Sequence, residues 1–262
     1  MNKTLKNSLI ILVAFVFYFL LLKEYFFSLR EYLAFIEPNY IRSLCFQLIC
    51  LMPLVIGLFL ICKPKDIIEN SGLNRGFLSG MGTALLCTLP MIVGNAVIGT
   101  FNKDITISKI LSSMIYSPFF EELAFRGFLF GLLFRYACWG FIPAALIGAL
   151  VFGAGHLYQG NDIMSSLASF GVTALGAVWF SWMYAEWRFN LWLPTGMHIF
   201  MNASWIFFSV NPTAAGGLVS NSIRGITILA IIIVTIMYKK RKHLPSTVNS
   251  KTLWKSPEQG IV

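Results

Sequence analysis

The chain has 262 residues, 57% of them hydrophobic and 12% charged, with a mean hydropathy of +0.73 and a formal net charge of +9. A soluble domain carries about twice that charged fraction, and so short a chain cannot hide this much apolar side chain in its own core; a soluble globular protein is excluded and lipid must solvate much of the surface. Nucleic acid is not the partner that the positive charge implies: six of the twenty Lys and Arg residues fall in the last 24 positions, directly after an apolar run and with no aromatic–basic interleaving.

Read from the start, Lys3 and Lys6 precede an apolar stretch, Ser8–Leu22, that resembles a signal sequence. The residues that follow, Lys23-Glu24-Tyr25-Phe26-Phe27, are bulky and charged rather than a small-residue cleavage site, so the stretch reads as a retained first helix. Apolar runs approaching or exceeding the ~20 residues that span hydrocarbon then recur. The expected spans are Asn7–Leu22, Ile41–Cys62, Phe77–Gly99, Ile107–Phe134, Phe141–Tyr158, Ile163–Tyr184, Leu191–Val210 and Ser222–Tyr238. The expected fold is therefore all-α: a polytopic bundle of about eight membrane helices around a polar cavity. It forms a single transmembrane domain over 1–240, with a motif-bearing core at about 72–209 and a basic tail over 241–262.

Eight crossings place both termini on one side. Connections on that side hold thirteen Lys and Arg residues against six on the other, which predicts cytoplasmic termini, with the basic flank touching anionic lipid head groups. Pro90 is expected to kink the third span. Pro118 is expected either to kink the fourth or to sit in the first turn of a new helix capped by Ser117. The cysteines, Cys45, Cys50, Cys62, Cys87 and Cys138, show no C-x-x-C spacing and read as small apolar residues of helices.

An ionisable side chain at mid-membrane costs at least ~2.5–3.5 kcal/mol, so the few that occur are functional candidates. Glu121, Glu122 and Arg126 fall near the middle of the fourth span. Glu122 and Arg126, four apart, can pair along one face as a structural ion pair. Glu121, turned about 100° from Glu122, is left without a local partner and is the better candidate for chemistry. Two of the three histidines also lie in membrane spans: His156, in Phe152-Gly153-Ala154-Gly155-His156, and His198, one turn before Asn202. A lone membrane histidine is often only a helix–helix hydrogen-bond partner. Two of them, with a spare carboxylate and an asparagine on the face of the second, suggest peptide-bond hydrolysis. In that scheme Glu121, assisted by His156, takes a proton from water, and His198 and Asn202 stabilise the oxyanion. One Glu and two His could also hold zinc, but neither H-E-x-x-H nor its reverse occurs and Asn202 is a poor ligand. Water activation without metal or other cofactor leads.

These three elements resemble the CPBP family, the CAAX prenyl protease Rce-type enzymes and their bacterial Abi or bacteriocin-immunity relatives. The family's motifs E-E-x-x-x-R, F-x-x-x-H and H-x-x-x-N appear here in order as Glu121-Glu122…Arg126, Phe152…His156 and His198…Asn202. The resemblance covers about 72–209. It implies an α-helical membrane fold, independence from metal, Glu121 with His156 as the water-activating pair, and His198 with Asn202 as the oxyanion site. Glu122, Arg126 and Phe152 would then support the site.

The expected activity is cleavage of a membrane-associated peptide, lipidated or leader-bearing, in a bacterial plasma membrane. The alternatives are a non-catalytic immunity or regulatory protein acting on a membrane partner such as a sensor kinase, and a transporter with Glu121 as proton carrier, which lacks an inverted repeat to support it. At 1.5 Å per residue, His156 lies ~22 Å into its span and His198 ~10 Å into its own. For the two to meet, a boundary must shift, a helix must tilt, or a span must break.

Overall fold

The computed structural model describes residues 2–211, 213 and 215–257; the end of the basic tail, 258–262, lies outside the described residues. The chain folds as α1 (Lys3–Lys23), α2 (Phe26–Tyr32), α3 (Asn39–Ile61), α4 (Phe77–Ile98), α5 (107–136), α6 (Phe141–Ala154), α7 (Ile163–Glu186), α8 (Trp192–Phe207) and α9 (Leu218–Arg241), with short single turns between some of them. Among the described residues the only strand-like pairing is one antiparallel bridge between Trp139 and Lys255.

Among the described residues six helices are long and apolar enough to cross a membrane: α1, α3, α4, α6 with the turn that extends it to Gln159, α7 and α9. Much of their apolar surface faces outward, as at Leu78, Leu86 and Val97. Lipid rather than water matches such a surface, and the chain is an integral membrane protein. The other two expected spans are α5 and the 16-residue α8.

Contacts between helix ends fix the alternation. The start of α1 meets the end of α5, where the Asn7 side-chain amide donates to the Tyr136 carbonyl at 2.8 Å and the Trp139 indole donates to the Ser8 hydroxyl at 3.0 Å. The far end of α1 meets the end of α6, where Lys23 lies over the Tyr158 ring at 5.9 Å. The bundle thus has a terminal face and an opposite face. On the terminal face the α7–α9 junction is closed by stacking of Trp187 on Tyr238, with ring centroids 4.4 Å apart, and by the Trp187 indole donating to Thr235 Oγ1 at 2.8 Å.

α5 is where the expectation at Pro118 is revised. The helix neither breaks nor restarts. It runs α over Ile107–Lys109, π over Ile110–Tyr116, α over Ser117–Glu122, π over Leu123–Phe130 and α again over Gly131–Tyr136. Proline has no N–H to give and its ring crowds the preceding turn. A π turn, closed one residue further back, accommodates both: the Ser117 N–H donates to the Ser112 carbonyl, five residues earlier. Pro90 is carried inside α4, which continues as α-helix through it.

The chain after α9 is part of the bundle. The Glu186 carboxylate, at the end of α7, pairs with Lys239 of α9 and accepts the backbone N–H groups of Thr247 (3.2 Å) and Val248 (2.8 Å). The Phe141 and Ile142 N–H groups donate to the Thr252 and Leu253 carbonyls, and Thr252 and Ser256 are buried. Gly140 is needed there, since a Cβ would lie 2.1 Å from Trp254 backbone. Lys239, one of the six basic residues in the last 24 positions, is 93% buried as a partner of Glu186. Removing one partner of a buried ion pair costs about 3 kcal/mol or more. Glu186→Ala is therefore expected to destabilise the detergent-solubilised protein by roughly that amount, read as a lower midpoint of thermal unfolding. An unchanged midpoint would show that the docked segment is not held by Glu186.

Candidate active site

Glu121 and Glu122 lie in the short α-helical part of α5, between its two π runs. Successive residues there diverge by about 100°, and the two carboxylates have different surroundings. Glu122 is fully buried. Its Oε1 accepts from Arg126 Nη1 at 3.1 Å and from His198 Nδ1 at 2.7 Å. Glu121 keeps a quarter of its side chain exposed to the cavity described below, and its Oε2 lies 3.8 Å from His198 Nε2. The expected Glu122–Arg126 pair is therefore present. The 100° between the glutamates is spanned by one imidazole inserted from α8.

Glu121 does have a local partner, contrary to the sequence expectation. The Ser117 hydroxyl, one turn earlier, donates to Glu121 Oε1 at 2.7 Å. The i, i+4 spacing is visible in the sequence, where Ser117 offers itself as a helix cap in one of the two readings of Pro118.

Arg126 is held by aromatic faces as well as by charge. Its guanidinium lies 5.2 Å from the Phe152 ring centroid, 5.1 Å from Phe180 and 5.9 Å from Phe125, an arrangement that offsets part of its desolvation through cation–π attraction. Phe152 and Phe180 also flank the histidines: Phe152 is 4.6 Å from the His156 ring and 6.4 Å from His198, and Phe180 is 5.7 Å from His198. Phe180 was not singled out from sequence, because an aromatic in an apolar helix carries no distinguishing signal.

His156 lies just past the end of α6, which closes at Ala154. Its Nδ1–H donates to the Phe152 carbonyl at 2.7 Å. A carbonyl can only accept, so in the neutral ring Nε2 carries the lone pair. The two histidines nevertheless reach one site, His156 from just past α6 and His198 from α8. That helix starts inside the bundle, where Asn190, Leu191 and Leu193 are buried and the Leu191 N–H donates to the Gly72 carbonyl at 3.2 Å. Phe152 then lies between the two imidazoles.

Glu121, Glu122, Arg126, Phe152, His156, His198 and Asn202 all line one cavity of about 1580 Å³. Asn202 lies one turn beyond His198 on α8, on the same face. Among the described residues no three His, Cys, Asp or Glu side chains are grouped to share a metal ion.

Residues 103–204 match the family described as Type II CAAX prenyl endopeptidase Rce1-like. Over 103 residues the chain is 31% identical to a Bacillus subtilis (strain 168) protein named "Putative membrane peptidase YdiL", a match covering 39% of this chain and 38% of that relative. The chain thus aligns with about two fifths of the relative's length. No solved structure matches.

Arg126 is the counter-ion of a carboxylate that has no water to fall back on. Arg126→Ala is expected to destabilise the protein by about 3–5 kcal/mol, a loss that differential scanning fluorimetry in detergent would register. Ser117→Ala removes a hydrogen bond to a partly exposed group and should cost about 1 kcal/mol. Equal effects of the two substitutions would contradict the assignment of Glu122–Arg126 as the structural pair.

Proposed function

We propose that this chain, whose residues 103–204 belong to the Rce1-like family, is an intramembrane endopeptidase that hydrolyses a peptide bond of a membrane-associated peptide. Glu121 is its general base. The observation that carries the reading is the pairing of Glu121 with His198 at the cavity wall. One Glu121 oxygen is held by Ser117, while the other faces His198 Nε2 at 3.8 Å. That separation is long for a hydrogen bond, yet a water at ~2.8 Å from each atom fits beside the line joining them.

In the reaction Glu121 takes one proton of this water as its oxygen attacks the scissile carbonyl carbon. His156 Nε2, an acceptor while Nδ1–H is tied to Phe152, is suited to take the water's second hydrogen in a hydrogen bond. The carbonyl oxygen becomes an oxyanion, for which Asn202 and His198 are the donors. With Nδ1–H given to Glu122, His198 can donate through Nε2 only when its ring carries both protons. Collapse of the tetrahedral species breaks the C–N bond, and the proton held by Glu121 passes to the leaving amine. The products are a carboxylic acid and an amine, between which the remaining proton passes to give carboxylate and ammonium.

The reading needs no metal. The bacterial relative and the thirteen-to-six division of basic residues support a bacterial plasma membrane with cytoplasmic termini. A cavity within the bundle suits a substrate that reaches it from the membrane, whether lipidated or leader-bearing.

Peptide-library cleavage in detergent tests this. Glu121→Gln is expected to lower the rate by at least ~10²–10³-fold without lowering the unfolding midpoint, and a chelator is expected to change nothing. Asn202→Ala should lower kcat by roughly 10²-fold or more. Cleavage by a folded Glu121→Gln protein at the wild-type rate would sink the proposal. Partner binding or immunity that survives loss of both Glu121 and His156 would favour the non-catalytic alternative.

A further inference from the structure

The cavity that holds Glu121 and His198 reaches the face opposite the termini. Lys23, at the end of α1, and Arg30, on α2, line it there, as does Arg224 on the second turn of α9. Residues that close the terminal face, such as Tyr136, Trp187 and Tyr238, do not line it. Each of the three cations lies over an aromatic ring that is itself a wall of the cavity. Lys23 is over Tyr158 at 5.9 Å, Arg30 over Phe26 at 5.3 Å and Arg224 over Trp205 at 4.7 Å. All three are within reach of a ligand, since Lys23 is exposed and both arginines are half-buried.

Charge selects the ligand. Among the described residues the cavity wall carries four cations, these three and Arg126, against two carboxylates, Glu121 and Glu122. Both carboxylates and Arg126 belong to the cluster around His198. Glu24, Glu31 and Asp162, on the same face of the bundle, do not line the cavity. The mouth is therefore positive. An aromatic face holds a cation through the ring's quadrupole and leaves N–H groups of Lys23 and Arg30 to donate to an anion. A carboxylate suits them, since a guanidinium can give it two parallel hydrogen bonds. The mouth is also close to the chemistry. Lys23 Nζ comes within 3.7 Å of the point where a Cβ on Gly155 would stand, and Gly155 directly precedes His156. The Phe152 ring is 6.4 Å from His198 and 4.6 Å from His156, so about three residues of extended chain lead from the reacting pair to His156.

We infer that Lys23 and Arg30, together with Arg224, form an anion subsite that binds an Asp or Glu side chain of the peptide a few residues from the bond to be cut. This deepens the protease reading and rests on it for the position of that bond. The substrate class is then a membrane-associated peptide with an acidic residue near its cleavage point. A lipid phosphate is the other anion at this depth. It would be met on the outer surface of the bundle, whereas the rings beneath these cations are cavity walls, which favours the peptide. Lys23, Arg30 and Arg224 all lie outside the family-matched residues 103–204, so the family match does not imply this preference.

The test is binding, so that it does not depend on cleavage. The Glu121→Gln protein in a non-ionic detergent is titrated with ten-residue Ala/Val/Ser peptides carrying an uncharged dye and blocked at both ends. Each peptide has Glu, Gln or Lys at one position, and that position is moved along the chain. The expected result is that Glu binds about fivefold or more tighter than Gln at one or two neighbouring positions. Raising NaCl to ~0.5 M should remove most of that preference. Lys23→Gln with Arg30→Gln should abolish it, and Lys23→Glu with Arg30→Glu should turn it into a preference for Lys, which a merely structural role would not do. Equal affinities at every position, no binding of any peptide, or a preference that ignores salt would overturn the inference; the salt series answers even if a variant fails to fold. Saturable binding of phosphatidylglycerol without any preference for Glu would assign the cations to lipid head groups and overturn it too. Wild-type cleavage with equal peptide affinities would leave the protease standing and the subsite refuted; charge-selective binding without wild-type cleavage would do the reverse.

Discussion

The site depends on one carboxylate with no access to solvent. Glu122 is fully buried in the middle of α5, and an isolated charge there would not be tolerated. Two groups make it acceptable: Arg126, one turn along the same helix, and His198, delivered by α8. Each partner then imposes further demands. Arg126 draws in the faces of Phe152 and Phe180, which tie α5 to α6 and α7. His198, fixed through Nδ1, presents Nε2 to Glu121. Helix packing and the surroundings of Glu121 are thus consequences of one charge-balancing problem.

The backbone of α5 serves the same end. An uninterrupted α-helix could not carry Pro118 just before a pair of glutamates without losing a hydrogen bond and meeting a clash. The π run before Pro118 removes that conflict without exposing backbone to lipid. It leaves Ser117 at the start of the α-helical segment, one turn before Glu121, where its hydroxyl donates to that carboxylate. The buried Glu186–Lys239 pair at the terminal face is a separate use of burial, holding the last helix and the chain beyond it to α7.

Much of this arrangement was legible in the sequence. Composition and apolar run lengths are physical constraints of the bilayer, and they gave the all-helical bundle and most span boundaries. The cost of intramembrane charge reduced the search for a site to a few residues, and the i, i+4 rule paired Glu122 with Arg126. What was not legible is what long-range packing decides. His198 is 76 positions from Glu122, and no spacing rule says that its ring enters between two glutamates. Glu186 and Lys239, 53 positions apart, carry no spacing signal for each other until folding buries them together. The mismatch in depth between the histidines rests on counting each span from the membrane surface, whereas contact through Phe152 is decided by how the helices pack.

The account stands on Glu122 holding His198 by its Nδ1–H in register with Glu121. Nitrogen-15 NMR of histidine-labelled protein in detergent reports this directly, with the His198 signals identified by their loss in His198→Gln. The account predicts that His198 Nδ1 is protonated and strongly hydrogen-bonded in the wild type, and that Glu122→Gln shifts this signal while that of His156 stays in place. A His198 Nδ1 signal indifferent to Glu122→Gln, or an unprotonated Nδ1 in the wild type, would contradict it.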